Sequence, residues 1–335
     1  GRIGVKSTAI FLMTTCFAVI FGIGVAHFME PGKGLVMDFG FTNSGPKAFD
    51  LPAFFLNIIP SNAVAALAGE NVLQVVFFAI FTGLAINKMG SSASSIKGFF
   101  QAMSKVVLKM ISMIITLSPY GAFALTAWVV GAQGVDILFS LSKLVGAMVI
   151  AMGLQYLIFG VLILVFCNIS PIPFYKKSLE YQVIAISTGS SKASLSTTMK
   201  VCKEDLGISD TSTSFVLPLG ASINMDGTAI KLGLAALFVA QIMNVDLKMM
   251  DYVIMILTAT LGSIGAAGIP GAFMVMLPMV LSSVNLPIEG VALFAGIDRL
   301  LDLLSTTINI TGDATITLIV DNSEGTLDKD RYYSE

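Results

Sequence analysis

Long apolar runs separated by short polar segments dominate the chain. A run of about 18 or more apolar residues can cross the roughly 30 Å hydrocarbon core of a bilayer as an α-helix. Seven runs are candidates: 7–28, 72–86, 106–130, 137–167, 214–243, 252–281 and 291–320. The second run is short and follows an apolar piece that ends at Pro60. The pattern predicts an all-α polytopic membrane protein.

Composition agrees with this pattern. Of the 335 residues, 55% are hydrophobic and 12% are charged, whereas soluble proteins average about 25% charged residues. The net charge of −2 leaves no basic surface to hold nucleic acid, so no nucleic-acid partner is predicted. Cys16, Cys167, Cys202 and the single histidine, His27, lack metal-ligand spacing, which excludes a disulfide scaffold and a zinc site. We expect a multi-pass protein of the plasma membrane, the inner membrane of a bacterium.

Two segments place polar or helix-breaking residues inside apolar runs. Between Lys177 and Lys200 an apolar half precedes a half dense in serine and threonine, and both flanks are basic and therefore cytoplasmic. This predicts a re-entrant hairpin, which is tolerated only where its backbone is buried in protein or lines a cavity. The segment 261–271 contains four glycines and a proline and predicts a second hairpin from the opposite side. A glycine-packed, kinked crossing is the alternative for this segment.

Two crossings carry carboxylates at membrane depth. In the earlier one, Asn224, Asp226 and a glycine interrupt an apolar helix. In the last one, polar residues recur every three or four positions and so share one helix face: Asp298, Asp302, Ser305, Thr306, Asn309 and Asp313. An ionised carboxylate in hydrocarbon costs several kcal/mol unless a cation or donor meets it, so these residues are predicted to be functional.

The ligand types predict a cation. Pairing with Arg299 or Lys231 is the structural alternative, and it accounts for one carboxylate but not for all of them. Hard oxygen donors without sulfur or imidazole suit a hard cation such as Na⁺, and an unwound helix adds free carbonyl groups. The similar segments 223–228 and 308–313 each follow one hairpin, as inverted structural repeats would. The sequence therefore predicts cation-coupled transport.

Two other classes of function stay open. An ion or anion channel could use the broken helices, although a channel usually has a ring of pore residues rather than one acidic stripe. An intramembrane hydrolase could use Ser190 or Ser191, although only Lys192 is near them as a base and no Gly-x-Ser-x-Gly motif surrounds them. The pattern favours a transporter that is not an enzyme.

Four motifs match one known family in order and spacing. They are the Ser-Ser hairpin tip at 190–191, Asn-Met-Asp-Gly-Thr at 224–228, Gly-Ile-Pro-Gly at 268–271 and the Asp-x3-Asp-x6-Asn-x3-Asp pattern that ends at Asp313. With these motifs the chain resembles the glutamate transporter family, also called the dicarboxylate/amino acid:cation symporters. The similarity runs over the whole chain, which is expected to begin at the family's third membrane helix and to lack the first two.

The resemblance implies a homotrimer in the lipid bilayer. Each subunit would have a static scaffold domain and a transport domain that moves a small-molecule solute like an elevator, with the tips of the two hairpins as gates. The implied divisions are a transport-domain helix at 1–29, scaffold helices at 30–172 with part of the transport domain at about 98–130, a transport core at 173–320, and a cytoplasmic tail at 321–335. The core would comprise hairpin 173–203, helix 209–243, hairpin 250–284 and helix 287–320.

The resemblance also implies which residues bind the coupling ion and the solute. The Na⁺ ligands would be Phe11, Thr14, Thr15, Gly220, Ser222, Asn224, Asp226, Ser263, Ile264, Ala266, Asn309 and Asp313. Among them, backbone carbonyls of Ser222 and of 263–266 would form a site beneath the second hairpin. The solute would contact Ser190, Ser191, Thr228, Ile269, Phe273, Asp302, Ser305, Thr306 and Asn309, with Asp302 holding its ammonium group.

Departures from the family pattern bear on the solute. Ser305 stands where members that carry acidic solutes have an arginine, so no bidentate partner remains for a side-chain carboxylate and a neutral amino acid is favoured. A solute carboxylate held by Lys192 is the alternative. Phe273 replaces a glycine and would narrow the pocket, and Arg299 is expected to pair with Asp298.

Overall fold

The computed structural model describes residues 2–34, 56, 58–69, 72–134, 136–265 and 271–334. Within these ranges the chain is mostly α-helical and contains no β-strand, which confirms the predicted all-α class. Two predicted site residues, Ala266 and Ile269, lie outside the described residues.

The described parts of the chain contain fourteen α-helices. They are α1 (Arg2–Met29), α2 (Ala63–Ala68), α3 (Val72–Met89), α4 (Ser94–Ile115), α5 (Ser118–Gln133), α6 (Asp136–Cys167), α7 (Ile172–Thr188), α8 (Ser191–Glu204), α9 (Asp210–Ile223), α10 (Asp226–Ile242), α11 (Met249–Gly265), α12 (Ala272–Ser283), α13 (Asp298–Glu324) and α14 (Lys329–Tyr333). Two short 3₁₀ helices, Gly90–Ala93 and Ile288–Phe294, join α3 to α4 and precede α13.

Five helical stretches in the described ranges are long and apolar enough to cross a membrane. They are Arg2–Met29, Gln74–Val107, Leu138–Cys167, Asp210–Ile242 and Asp298–Glu324. The structure therefore divides the apolar sequence differently from the hydropathy pattern. The predicted crossing at 106–130 is split, because α4 ends at Ile115 and α5 begins at Ser118 with a proline in its first turn.

The predicted interruption of the crossing at 214–243 is present. Helix α9 ends at Ile223 and α10 begins at Asp226, so Asn224 and Met225 lie between two helices. Asn224 closes α9 by donating its backbone N–H to the Gly220 carbonyl, and its own backbone is extended (φ −97°, ψ 92°). The break leaves backbone groups at the protein centre that are not used by helix hydrogen bonds.

Two pairs of consecutive helices fall where the hairpins were predicted. Helices α7 and α8 pack against each other and are joined at Gly189, which has a left-handed conformation (φ +63°) that favours glycine. Ser190 then caps α8 by accepting a hydrogen bond from the Ala193 N–H at 3.3 Å. Helices α11 and α12 also pack together, with Gly271 (φ +76°) immediately before α12.

Helix α10 occupies the centre of the protein. Nearly all its side chains are buried, and it packs against α1, α11, α12 and α13. Glycines permit the close approach to α1: a Cβ on Gly22 would lie 2.6 Å from the Ile230 carbonyl oxygen, and one on Gly233 would lie 2.9 Å from that of Val19. The centre of the bundle is therefore fixed by backbone contact between α1 and α10.

Helices α4 and α6 differ in how they pack. The resemblance implied that 30–172 is mainly scaffold, with about 98–130 in the transport domain, and that division stays a prediction. In the structure α6 packs along α13 and α1, whereas α4 leaves most of its apolar side chains exposed. We call α1, α6, α10 and α13, which pack on one another, the central bundle.

Candidate functional site

Three segments that are distant in sequence bring their polar residues together at the break between α9 and α10. The Thr15 hydroxyl on α1 donates to Asp226 Oδ1 at 2.9 Å, and Asn224 Nδ2 donates to Asp313 Oδ1 on α13 at 3.0 Å. Thr14 Oγ1 lies 3.3 Å from Asn224 Oδ1. The break thus joins the first and last long helices of the bundle through side-chain hydrogen bonds.

Each of the two carboxylates in this cluster keeps one oxygen that is not used by the protein. Asp226 Oδ2 and Asp313 Oδ2 are buried and have no hydrogen-bond partner among the residues that the structure describes. Glycines leave room beside both groups. A Cβ on Gly220 would lie 2.6 Å from Asp313 Oδ1, and one on Gly312 would lie 3.3 Å from Asp226 Oδ2. A buried, unpaired carboxylate oxygen is costly, so a cation is the expected neighbour.

The donor set limits the kind of cation. Carboxylate, amide, hydroxyl and backbone carbonyl oxygens converge here, including the Phe11 carbonyl, which accepts from Thr14 Oγ1 at 3.1 Å. Across the described ranges, no group of three or more His, Cys, Asp or Glu side chains is placed to hold a metal ion. Two carboxylates among neutral oxygens suit a small hard cation of low charge better than a transition metal.

The structure therefore brings together most of the residues that the resemblance implied for Na⁺. Phe11, Thr14, Thr15, Gly220, Asn224, Asp226, Asn309 and Asp313 all lie on the segments that meet at the break. The site implied beneath the second hairpin, formed by backbone carbonyls of Ser222 and of 263–266, stays a prediction, because Ala266 lies outside the described residues. The side chains of Ser222 and Ser263 donate to carbonyls of their own helices, those of Pro218 and Thr260.

A second cluster of buried charged side chains is formed by a lysine and two aspartates. Lys231 on α10 is fully buried, with Nζ 2.7 Å from Asp298 Oδ1 and 3.3 Å from Asp302 Oδ1. The same Nζ lies 4.5 Å from the centroid of the Phe273 ring. Asp302 Oδ2 accepts a hydrogen bond from the Gly271 N–H at 3.2 Å. Both Asp302 oxygens thus have partners within the protein.

This cluster corrects one expectation and refines another. Asp298 pairs with Lys231, not with the adjacent Arg299, because successive residues on a helix point in different directions. Phe273 is buried, and its ring packs edge-on against Phe294 at 5.6 Å and faces the Lys231 ammonium. Lysine pairing accounts for two carboxylates, Asp298 and Asp302, rather than one.

Four other residues predicted to bind solute lie on the two helices that carry the Lys231 cluster, α10 and α13: Thr228, Ser305, Thr306 and Asn309. Thr228 precedes Lys231 by three residues on α10, and Thr306 is buried on α13. Ser305 Oγ donates to the Asp302 carbonyl at 3.1 Å, and the Ser305 backbone lies so close to Gly227 that no Cβ would fit there. Asn309 Oδ1 accepts from the Gly227 N–H at 2.8 Å. Asn309 therefore links α13, which carries Asp298 and Asp302, to the helix break at Asn224.

The tip between α7 and α8 adds polar groups from another direction. Ser191 Oγ is buried, and the described residues provide it with no hydrogen-bond partner. A Cβ on Gly189 would lie 3.2 Å from Arg299 Nη1 and 3.2 Å from Leu303 Cδ2, so this tip rests on the first turns of α13. Lys192, the predicted alternative ligand for an acidic solute, is exposed.

Two features of the site were absent from the sequence prediction. Asn309 Nδ2 donates to Met225 Sδ at 3.3 Å, so the methionine of the motif at 224–228 also orients a site residue. Arg299 lies at the α7–α8 tip, where Gly189 leaves room for its guanidinium. The glycine at the tip is the one sequence signal that could have indicated this contact.

Comparison with known proteins shows the family of this chain. The model of the Sodium:dicarboxylate symporter family matches residues 1–323. The chain belongs to this family. A C4-dicarboxylate transport protein of Rhodospirillum rubrum is 34% identical over 347 residues, which cover 99% of this chain and 76% of that protein. A C4-dicarboxylate transport protein of Bordetella avium is 34% identical over 338 residues, covering 98% and 76%, and C4-dicarboxylate transport protein 2 of Mesorhizobium japonicum is 35% identical over 343 residues, covering 98% and 76%.

Membership of this symporter family confirms the resemblance that the four motifs indicated. The protein is a transporter and not an enzyme, so the hydrolase interpretation of Ser190 and Ser191 is excluded. The prediction of a multi-pass protein of the plasma membrane is likewise confirmed.

Proposed function

We propose that this symporter couples Na⁺ to the movement of a small carboxylate-bearing solute. The observation that carries the proposal is the pair of buried oxygens, Asp226 Oδ2 and Asp313 Oδ2, for which the described part of the chain offers no partner. A buried carboxylate keeps its negative charge only where a cation or hydrogen-bond donors stabilise it. The surrounding neutral oxygens favour Na⁺ among common cations. The family description, which names sodium, supports the same ion.

Asn309 supports coupling between ion and solute in this proposal. Two ligands are coupled when each binds best to the conformation that the other stabilises. Asn309 holds the Gly227 N–H at the helix break, while Thr306 and Asp313 lie about one turn to either side of it on α13. A cation that draws Asn224, Asp226 and Asp313 together therefore also fixes the face of α13 on which the solute would bind.

We further propose that the central bundle moves as one body within a homotrimer. Neutralising the carboxylates lowers the cost of carrying them through hydrocarbon, so the loaded bundle moves more readily than a partly loaded one. The packing of α6 and α1 against α10 and α13 supports a bundle that includes α6. The exposed apolar side chains of α3 and α4 suit a scaffold that contacts lipid or neighbouring subunits.

The pairs α7–α8 and α11–α12 are proposed to be re-entrant hairpins of two inverted repeats, and to gate the solute site from opposite sides. Ser191 Oγ is buried at the first tip and has no hydrogen-bond partner among the described residues, whereas the Gly271 N–H at the start of α12 donates to Asp302 Oδ2. The Ser191 hydroxyl is therefore a donor that remains for a carboxylate of the solute.

Two observations bear on the solute itself. Relatives named C4-dicarboxylate transport proteins favour a solute with two carboxylates. Ser305, which offers a hydroxyl in place of a guanidinium, favours a solute with one, such as a neutral amino acid. The Arg299 guanidinium at the α7–α8 tip provides a positive charge from a direction that the family pattern did not indicate.

The proposal is tested by ligand-dependent stability of the purified protein. Melting temperatures are measured with a panel of dicarboxylates and amino acids, each in Na⁺ and in choline at the same ionic strength. A solute that binds the folded site raises the melting temperature, and the rise should require Na⁺. Equal shifts in Na⁺ and choline for every active solute would contradict Na⁺ coupling.

A further inference from the structure

Lys231 is an unusual residue for the centre of a membrane bundle. It is fully buried in α10, whose other side chains are almost all buried and mostly apolar. Lysine is rarely buried completely unless its charge is paired. Here its ammonium contacts two carboxylates and one aromatic face, those of Asp298, Asp302 and Phe273. Its charge is thus fully matched by the protein.

The Lys231 ammonium contacts the carboxylate of Asp302. Asp302 is the residue to which the resemblance to the glutamate transporter family assigns the ammonium group of an amino-acid solute. A lysine ammonium and an α-ammonium present the same charge and the same three N–H donors. Lys231 Nζ lies at 3.3 Å from Asp302 Oδ1, and the Gly271 N–H uses Oδ2. The carboxylate is therefore already satisfied from within the chain.

We propose that Lys231 is a tethered substitute for the solute's amino group, so that the site selects carboxylic acids that lack an amino group. The proposal rests on the proposed function, because it names the solute class of the same site. An amino-acid solute would have to displace Lys231 from Asp302 and leave a buried ammonium with Asp298 alone. A carboxylic acid without an amine leaves the three-residue cluster intact.

Phe273 and the helix geometry hold Lys231 in this role. The ring of Phe273 is packed edge-on against Phe294, so the cation–π contact has a fixed partner. Asp298 and Asp302 are one turn apart on α13 and present their carboxylates to the same ammonium. Lys231 is therefore a specificity-determining residue that acts by occupying Asp302.

The first test uses the unaltered protein. Affinities are compared, in Na⁺, for pairs of solutes that differ only in the amino group: succinate with aspartate, propionate with alanine, and 3-hydroxypropionate with serine. We expect the member without the amine to bind at least tenfold more tightly in any pair that binds. Tighter binding of the amino acids would overturn the role of Lys231 and leave Na⁺ coupling standing. If no solute shows Na⁺-dependent binding, the proposed function fails instead.

The second test removes the tethered ammonium. Lys231→Gln frees Asp302 for an external ammonium, and we expect the preference within each pair to fall at least tenfold or to reverse. Because Lys231→Gln leaves two carboxylates without their cation, the double variant Lys231→Met/Asp298→Asn is measured alongside it. The double variant keeps only Asp302 charged and should also gain amino-acid affinity. An unchanged preference in whichever variant folds, judged by its Na⁺-dependent melting shift, would refute the proposal.

Discussion

Replacing Asp313 by asparagine isolates the charge that we assign to the Na⁺ site. The substitution keeps the shape of the side chain, and the amide oxygen can still accept the hydrogen bond from Asn224 Nδ2, which measures 3.0 Å in the wild type. What it removes is the negative charge of a group whose Oδ2 has no partner within the described ranges. The perturbation is therefore electrostatic rather than steric.

The expected loss of Na⁺ affinity follows from the distance between charges. A unit charge and a monovalent cation about 4 Å apart interact by about 4 kcal/mol at an effective dielectric constant of about 20. Since each 1.4 kcal/mol or so is a tenfold change, Asp313→Asn should weaken Na⁺ binding roughly 1,000-fold. In the hydrogen bond from Asn224 Nδ2, the substitution replaces a carboxylate acceptor by a neutral amide oxygen, which lowers the free energy of unfolding by only about 1 kcal/mol. Removing an uncompensated buried charge offsets that cost when Na⁺ is absent.

The assay is a thermal melt across a series of Na⁺ concentrations at constant ionic strength. Wild-type protein should gain melting temperature with Na⁺, whereas Asp313→Asn should melt at a similar temperature in choline and gain little in Na⁺. Asp321→Asn is the matched control, because Asp321 lies on the same helix and is buried. Its oxygens are held by Ser209 and Thr326, so this variant should lose stability in all conditions and keep its response to Na⁺. A half-saturating Na⁺ concentration for Asp313→Asn within threefold or so of wild type would refute the reasoning.

Two further predictions concern the space around the site and the choice of solute. Gly220→Ala gains about 1 kcal/mol of helix propensity, but its Cβ would lie 2.6 Å from Asp313 Oδ1, so Na⁺ titrations should show at least tenfold weaker binding. The control is Gly24→Ala on α1, where no atom lies within 4 Å of the added Cβ. Equal Na⁺ affinity in both variants would count against the assignment of Gly220 to the Na⁺ site. Ser305→Arg supplies the guanidinium that the acidic-solute members carry, so competition binding should shift toward solutes with a second carboxylate, succinate over propionate. No gain for succinate would mean that position 305 does not face the pocket.

The sequence predicted those parts of the fold that depend on local chemistry. The Asn-Met-Asp-Gly segment predicted the break between α9 and α10, because Asn224 and Gly227 interrupt an apolar helix with residues that favour non-helical backbone. The spacing of Asp302, Asn309 and Asp313 predicted one polar face on α13, since helix periodicity fixes which side chains are neighbours.

Features that depend on tertiary packing were beyond the sequence pattern. The sequence favoured Arg299 as the partner of Asp298, but the packing of α10 against α13 places Lys231 there instead. Hydropathy treated α4 and α6 alike, although α6 packs into the bundle and α4 exposes most of its apolar side chains. Lys231 on α10 pairs with both Asp298 and Asp302 because α10 and α13 pack against each other. No sequence pattern within either helix specifies the distance between them.

Uptake by purified protein in proteoliposomes tests the central claim most directly. Vesicles are loaded with choline and diluted into radiolabelled succinate or serine with either Na⁺ or choline outside. An inward Na⁺ gradient should drive accumulation of the solute above its external concentration, and accumulation should collapse when an ionophore dissipates that gradient. Solute entry that is equal with Na⁺ and with choline, and that stops at the external concentration, would contradict the account.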